Sequence, residues 1–188
     1  MKKIKMIVGL ANPNNLYCKT RHNIGSVYIY LLANHYKLKL KEEKKFFGYT
    51  ENIYLNNEIV RLLVPNIFMN INGKSVFLMS SFYNINLDQI LIIHDDLDLI
   101  PGVIKIKYGF GTNGHKGLKN IISYFKNGVS FYRIRIGIGR PNQLGEIPNY
   151  VLSIPNKYEL NLIYQSMKKT IFFIENFIRE PNLKNFSN

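Results

Sequence analysis

Proton transfer at neutral pH is done best by an imidazole, whose unperturbed pKa lies near 6.5, held by a carboxylate that fixes which ring nitrogen carries the proton. The sequence offers four histidines. His22 sits in the polar loop "ANPNNLYCKTRHN" between Arg21 and Asn23, and His94 opens the acidic run through Asp95, Asp96 and Asp98. His115 and Lys116 lie in "GFGTNGHKG", and His35 falls in a helical stretch. His35 is expected to be structural or exposed, and His94 to be a satisfied core group at a strand end. His115 is as well suited to a local hydrogen bond as to substrate. His22 is equally a surface residue at a helix entry and a general base for water, which a carboxylate would have to orient. A base, its orienting acid and amide donors for an oxyanion together equip a site for ester hydrolysis.

The glycines of "GFGTNGHKG" also spell G-x-G-x-x-G after a strand-like "VIKIKY". A dinucleotide cradle would add an acid about 20 residues later to hold a ribose hydroxyl. That region, "VSFYRIRIGIGR", contains three arginines and no acid, and the motif lies past the middle of the chain. No dinucleotide cofactor is expected. Asp95 and Asp96 could together suggest a divalent cation, but no second group of oxygen or imidazole ligands falls at a useful spacing. The site is expected to use no metal and no cofactor.

Residues of this kind need rigid strand ends to hold them. "IKMIVGL" reads as a buried strand that opens into the loop carrying Asn12 and His22. "IGSVYIYLLANHY" has helical spacing with Asn23 as a plausible cap, and "KKFFGYTENIYL" and "IVRLLVP" form a hairpin across "NNE". "NGKSVFLMSSFYNI" places Val76, Met79, Phe82 and Tyr83 on one helical face expected to pack on the sheet. "QILIIHDD" is a buried strand whose carboxyl end opens into a site. "VIKIKYG" and "FYRIRIGIG" alternate, with Arg133 and Arg135 on one face, and a short helix starts at about Leu118. "NKYELNLIYQSMKKTIFFIENFIRE" is a long amphipathic helix, and the polar tail begins at about residue 181. The chain is thus expected to be α/β: a single domain over 1–188, with a twisted mixed β-sheet flanked by helices and a long C-terminal helix.

A chain of 188 residues that is 46% hydrophobic can bury one substantial core. No segment reaches the roughly 18 apolar residues of a membrane span, the N-terminus lacks a cleavable leader pattern, and one cysteine, Cys18, allows no internal disulfide. A cytoplasmic protein without membrane attachment is expected. The net charge of +13 attracts phosphate-rich partners. Because the chain is also crowded with Asn, Ile, Lys and Tyr, as an AT-rich genome would dictate, composition favours nucleic acid only weakly.

"VGLANP", "TRHN", "FMN", "HDDLDLIPG", "GHKGLKNII" and "FYRIRIGIG", in this order and with "EEKKFFGYT" and "RLLVP" between them, resemble bacterial-type peptidyl-tRNA hydrolase from about Lys5 to Leu152. The resemblance implies an enzyme that hydrolyses the ester between a peptide, or N-blocked aminoacyl, carboxyl and the terminal ribose of tRNA, releasing tRNA for reuse. It implies His22 and Asp95 as the catalytic pair. Asn12, Asn70, Met69 and Asn23 are implied for substrate discrimination and peptide or oxyanion contacts. For tRNA it implies Tyr17, Phe68, Asn70 and Lys116 near the 3′ end, and Lys107, Lys119 and Arg135 on acceptor-stem phosphates. It further implies a monomer. The chain departs from the family where His115-Lys116-Gly117 replaces His-Asn-Gly, since lysine donates hydrogen bonds but accepts none. The rival expectation is an RNA-binding relic that lost catalysis at Lys116; retention of His22 and Asp95 speaks against it.

Overall fold

The computed structural model describes residues 2–55, 58–125 and 130–181. Among them, the apolar runs become seven strands of one mixed sheet: β1 (Met6–Gly9), β2 (Lys41–Glu43), β3 (Gly48–Leu55), β4 (Glu58–Pro65), β5 (Ile90–Asp96), β6 (Ile104–Gly109) and β7 (Phe131–Gly137). The order is β2-β3-β4-β1-β5-β7-β6. β4, β1, β5 and β7 run parallel at the centre, and β2, β3 and β6 add antiparallel edges. Every residue of β1 and β5 is buried, as parallel strands covered on both faces require.

The period of two assigns side chains to opposite cores. Ile7, Leu91 and Ile93 join α2 (Ile24–His35) and α6 (Lys157–Arg179), whereas Met6, Val8, Ile90 and Ile92 join α3 (Asn72–Phe82) and α4 (Lys116–Tyr124). α6 begins at a capping box, in which Asn156 accepts the Glu159 N–H and Glu159 accepts the Asn156 N–H. Its buried stripe of Ile163, Met167, Ile171, Ile174, Phe177 and Ile178 seats it on the sheet.

Local details differ from expectation for identifiable reasons. The loop after β1 carries a short helix, α1 (Asn14–Tyr17), and a 3-10 turn at Arg21–Asn23. Asn23 occupies the cap position of α2 without capping it, because its amide is engaged by Asn12. α4 starts at Lys116, two residues before Leu118, because the His115 ring accepts the Leu118 N–H. Val76 and Met79 are buried, but Phe82 is 58% exposed. It lies past the buried stripe and stacks at an edge on Phe46 and Tyr83. A further short helix, α5 (Ile147–Val151), has a proline in its first turn. Residues 56–57 of the "NNE" turn and the tail at 182–188 lie outside the described residues.

Two glycines set the height of α2 above the strand ends. A Cβ on Gly25 would lie 2.4 Å from the Ile93 carbonyl oxygen and 2.8 Å from the Leu10 nitrogen, and one on Gly9 would lie 2.2 Å from the Gly25 oxygen. Backbone therefore rests on backbone here, and the turn just upstream delivers His22 above the end of β5. Gly25→Ala is expected to destabilise the fold by about 1–3 kcal/mol or more through overpacking. Gly145→Ala, whose Cβ meets nothing within 4 Å, should stay within roughly 0.5 kcal/mol. Thermal or denaturant unfolding of the two variants checks the contrast.

Candidate active site

The carboxyl ends of β1 and β5 open into a cleft with a cavity volume of about 460 Å³. Asp95, 3% exposed on β5, presents one oxygen, Oδ1, to two imidazoles. It accepts from His22 Nδ1 at 2.9 Å and from His115 Nε2 at 3.0 Å. Burial by itself would raise this carboxyl's pKa, but the two rings overcome that and hold it well below the usual carboxylate range. An unpaired buried carboxylate would cost several kcal/mol, so the rings and the acid require one another.

These bonds decide where the protons are. His115 Nδ1 accepts the Leu118 N–H at 3.3 Å, so its proton sits on Nε2 and points to Asp95. His22 donates from Nδ1 to the same oxygen, which leaves the Nε2 lone pair for the cleft that His22 lines. The His115 ring also packs against both His22 (4.9 Å between centroids) and His94 (5.0 Å).

Asparagine amides hold the walls together. Fully buried Asn72 donates to the carbonyls of Ala11, Ile67 and Phe68 at 2.9, 3.1 and 3.0 Å and accepts the Ala11 N–H at 3.1 Å. Asn23 and Asn12 exchange bonds: Asn23 donates to the Asn12 carbonyl at 2.9 Å and accepts the Asn12 N–H at 2.8 Å. Asn12 Oδ1 in turn accepts the Met69 N–H at 2.9 Å. That leaves the N–H groups of the Asn12 side chain, at the cleft, without a partner among the described residues.

The structure brings together His22, Asp95, Asn12, Met69, Asn70, Phe68 and Lys116 around one cavity. Phe68 is 52% exposed, and Asn70 and Lys116 are exposed beside it. Asn23 stands apart: at 0% exposure and with both ends of its amide taken by Asn12, it lies in the wall and outside the cavity lining. Tyr17, on α1, is half-buried and outside the cavity lining. Lys107, Lys119 and Arg135 lie away from the cavity. Strand register pairs Lys107 with Arg133 and Lys105 with Arg135, so four basic residues share one face at the sheet edge. Arg135 Nε donates to Asp96 at 2.6 Å, which holds the Asp96 carboxyl below its ordinary pKa against the upward push of burial. Asp96 is therefore a buried strand-end acid and not a loop acid. Asp98 is exposed and pairs with Arg140.

Several contributing residues were not singled out by sequence. Arg21 reaches from beside His22 to Ser153 Oγ at 2.6 Å and Glu159 at 2.7 Å, tying the catalytic turn to the start of α6. Arg133, 2% exposed, donates to the Gly111 carbonyl and braces the glycine loop. The apolar wall comes from α5 and its flank, with Ile147, Pro148, Val151 and Leu152, while α6 stays behind it. His94 is only half satisfied. Its Nδ1 donates to the Asp95 carbonyl at 2.6 Å, but its buried Nε2 has no partner among the described residues.

The peptidyl-tRNA hydrolase family model matches residues 6–188. The chain is 55% identical over 166 residues to a peptidyl-tRNA hydrolase of Buchnera aphidicola subsp. Acyrthosiphon pisum (strain 5A), covering 88% of this chain and 94% of that one. It is 50% identical over 180 residues to a peptidyl-tRNA hydrolase of Proteus mirabilis, covering 96% and 93%. Among solved structures, peptidyl-tRNA hydrolase of Acinetobacter baumannii superposes with a TM-score of 0.93 at 36% identity, covering 99% of this chain and 94% of that one.

Burial, followed by the nearby His115, pulls the His94 pKa down to about 3. An unfolded histidine binds its proton near pH 6.5 and this folded one does not, so between those values the unfolded state holds more protons and stability falls as pH falls. The loss is expected to be about 2 kcal/mol between pH 6.5 and 5. His94→Asn should flatten that slope, measured from urea midpoints at the two pH values; an unchanged slope would assign the loss to other groups.

Proposed function

This chain belongs to the peptidyl-tRNA hydrolase family, and from that premise we propose how it cleaves the ester joining a peptide to the terminal ribose of tRNA. The observation that carries the reading is the Asp95–His22 bond, which leaves His22 Nε2 unprotonated and facing the cleft. Water held there gives its proton to Nε2 as its oxygen attacks the ester carbonyl carbon. The imidazolium beside Asp95 then returns the proton to the ribose oxygen as the carbon–oxygen bond breaks. The products are a free peptide carboxyl and a tRNA that can be charged again. His115 acts by positioning: it shares Asp95 and keeps the carboxylate in place.

The developing oxyanion needs donors. Those at the cleft are the amide of Asn12, the amide of Asn70 and the ammonium of Lys116, which stands at the first turn of α4 where the helix dipole is positive. Asn12 suits the peptide end, because a fixed amide donor is satisfied by a peptide carbonyl and opposed by a free α-ammonium. Met69 and the α5 wall offer apolar surface to peptide side chains, and exposed Phe68 offers a face on which the terminal adenine could stack. Lys107, Lys119 and Arg135 would hold the acceptor stem by its phosphates, without reading sequence, and Tyr17 would meet the 3′ end. An RNA-binding relic would have no use for a carboxylate buried between two imidazoles. We place the whole chain, acting as one domain and as a monomer, in the cytoplasm; among its described residues no helix is long and apolar enough to cross a membrane.

His22→Ala should lower deacylation of N-acetyl-aminoacyl-tRNA by about 100- to 10,000-fold, the usual worth of a general base. The free-amine aminoacyl-tRNA should resist the unmodified enzyme. Normal turnover by the variant would refute the assignment of the base. Lys116→Asn restores an acceptor that could hold the attacking water and is expected to raise turnover; an unchanged rate would show that this position does not limit the reaction.

A further inference from the structure

His115 brings a third ligand to a place where the sequence offered only two. His22, Asp95 and His115 each present one ligand atom, and all three atoms lie within 4.8 Å of one another. They stand on separate rigid supports: the Arg21–Asn23 turn, the end of β5 and the cap of α4. Two imidazole nitrogens with one carboxylate oxygen is a ligand set that zinc uses when a fourth position is left to water, and the cavity supplies that opening.

We infer that the His22–Asp95–His115 cluster is also a binding site for Zn²⁺ or a similar borderline cation, and that its occupancy silences the enzyme. In a tetrahedral site with bonds of about 2.0–2.1 Å, ligand atoms stand about 3.3–3.5 Å apart. The two nitrogen-to-oxygen separations, 2.9 and 3.0 Å, need to open by only a few tenths of an ångström, and the two rings to close toward each other. Two ring protons must move. That of His22 passes from Nδ1 to Nε2, and that of His115 passes from Nε2 to Nδ1, where it ends the 3.3 Å bond from Leu118, a long and weak one. The first shift carries the consequence: Nε2 of His22 becomes an N–H and has no lone pair for water. The metal would sit behind the ring, on its Asp95 side, away from the ester. With two imidazoles among three ligands, Mg²⁺ and Ca²⁺ are poor occupants.

The binding is independent of any assignment to RNA, whereas its effect on turnover rests on His22 as the base. The test is calorimetric titration of chelator-treated protein with ZnCl₂ in the Cys18→Ala background, since Cys18 is an exposed thiol. Co²⁺ absorption in the visible provides a second readout. One equivalent should bind, with the intense bands of tetrahedral cobalt, and His115→Ala should lose at least about tenfold in affinity. His115→Asn keeps a capping oxygen for α4 and should lose the metal; it gives up the ring N–H to Asp95, so its thermal midpoint should fall while circular dichroism shows it still folded. Deacylation should fall as Zn²⁺ saturates, recover with chelator, and be indifferent to added Mg²⁺. Binding that survives both His115 variants, or an absence of stoichiometric binding, would overturn the proposal. Saturation of the site with turnover intact would overturn the silencing.

Discussion

A single carboxylate oxygen shared by two imidazoles is the constraint around which this molecule is arranged. Asp95 is taken out of water at the end of a strand that is buried along its whole length. In that place it is tolerable only with charge-stabilising donors on both sides. The first donor arrives from the turn after β1 and the second from the cap of α4, so two cross-chain connections must close correctly before the strand end is satisfied. The same bonds fix the tautomers. Stability and chemistry therefore draw on one set of atoms, and the geometry of the base is a by-product of neutralising the acid.

The fold was largely legible because its signals are local. The β5 run is continuously apolar, β6 and β7 alternate, and α6 repeats its apolar residues at helical spacing; period and length settled each element. Within the site, legibility followed the same rule. His22, Asp95, Asn12 and Asn70 sit in short runs at strand ends and helix entries, where spacing and the family resemblance could mark them. What escaped were residues whose partners are remote in sequence. Asn72 does its bonding to Ala11, and Arg21 to Glu159, across distances for which no periodicity exists. His115 looked like a loop residue because nothing local announces that its ring returns to Asp95. The burial of Asn23 escaped for the converse reason: it is adjacent to His22, but the turn sends its side chain to Asn12 and that of His22 to Asp95.

Charge is deployed in two layers with different duties. The outer layer is Lys105 and Lys107 on the edge strand β6, with Lys119 on α4, all exposed. Their long side chains can follow a backbone of phosphates. The inner layer is fixed: Arg135 is tethered to Asp96, and buried Arg133 spends a donor on the Gly111 carbonyl. Burial makes the charged form of Arg133 less favourable than in water, so its bond to the glycine loop is hard to give up without a replacement acceptor. The loop that carries His115 is thereby anchored from below by β7, the strand paired with the one that displays the outer charges.

Asn72 and Gly73 form an Asn-Gly pair, the dipeptide in which a side-chain amide is most easily lost as the following backbone nitrogen closes on it. Here the fold shields that junction. The Gly73 N–H is donated to Asn120 Oδ1 at 2.8 Å, and the Asn72 side chain is held by the backbone of Ala11, Ile67 and Phe68. A ring can form only if all of those bonds open together. Loss of the amide at this junction is thus coupled to opening of the structure around it: while those bonds hold, Asn72 is kept, and each excursion risks converting a residue that braces the cleft into an acid.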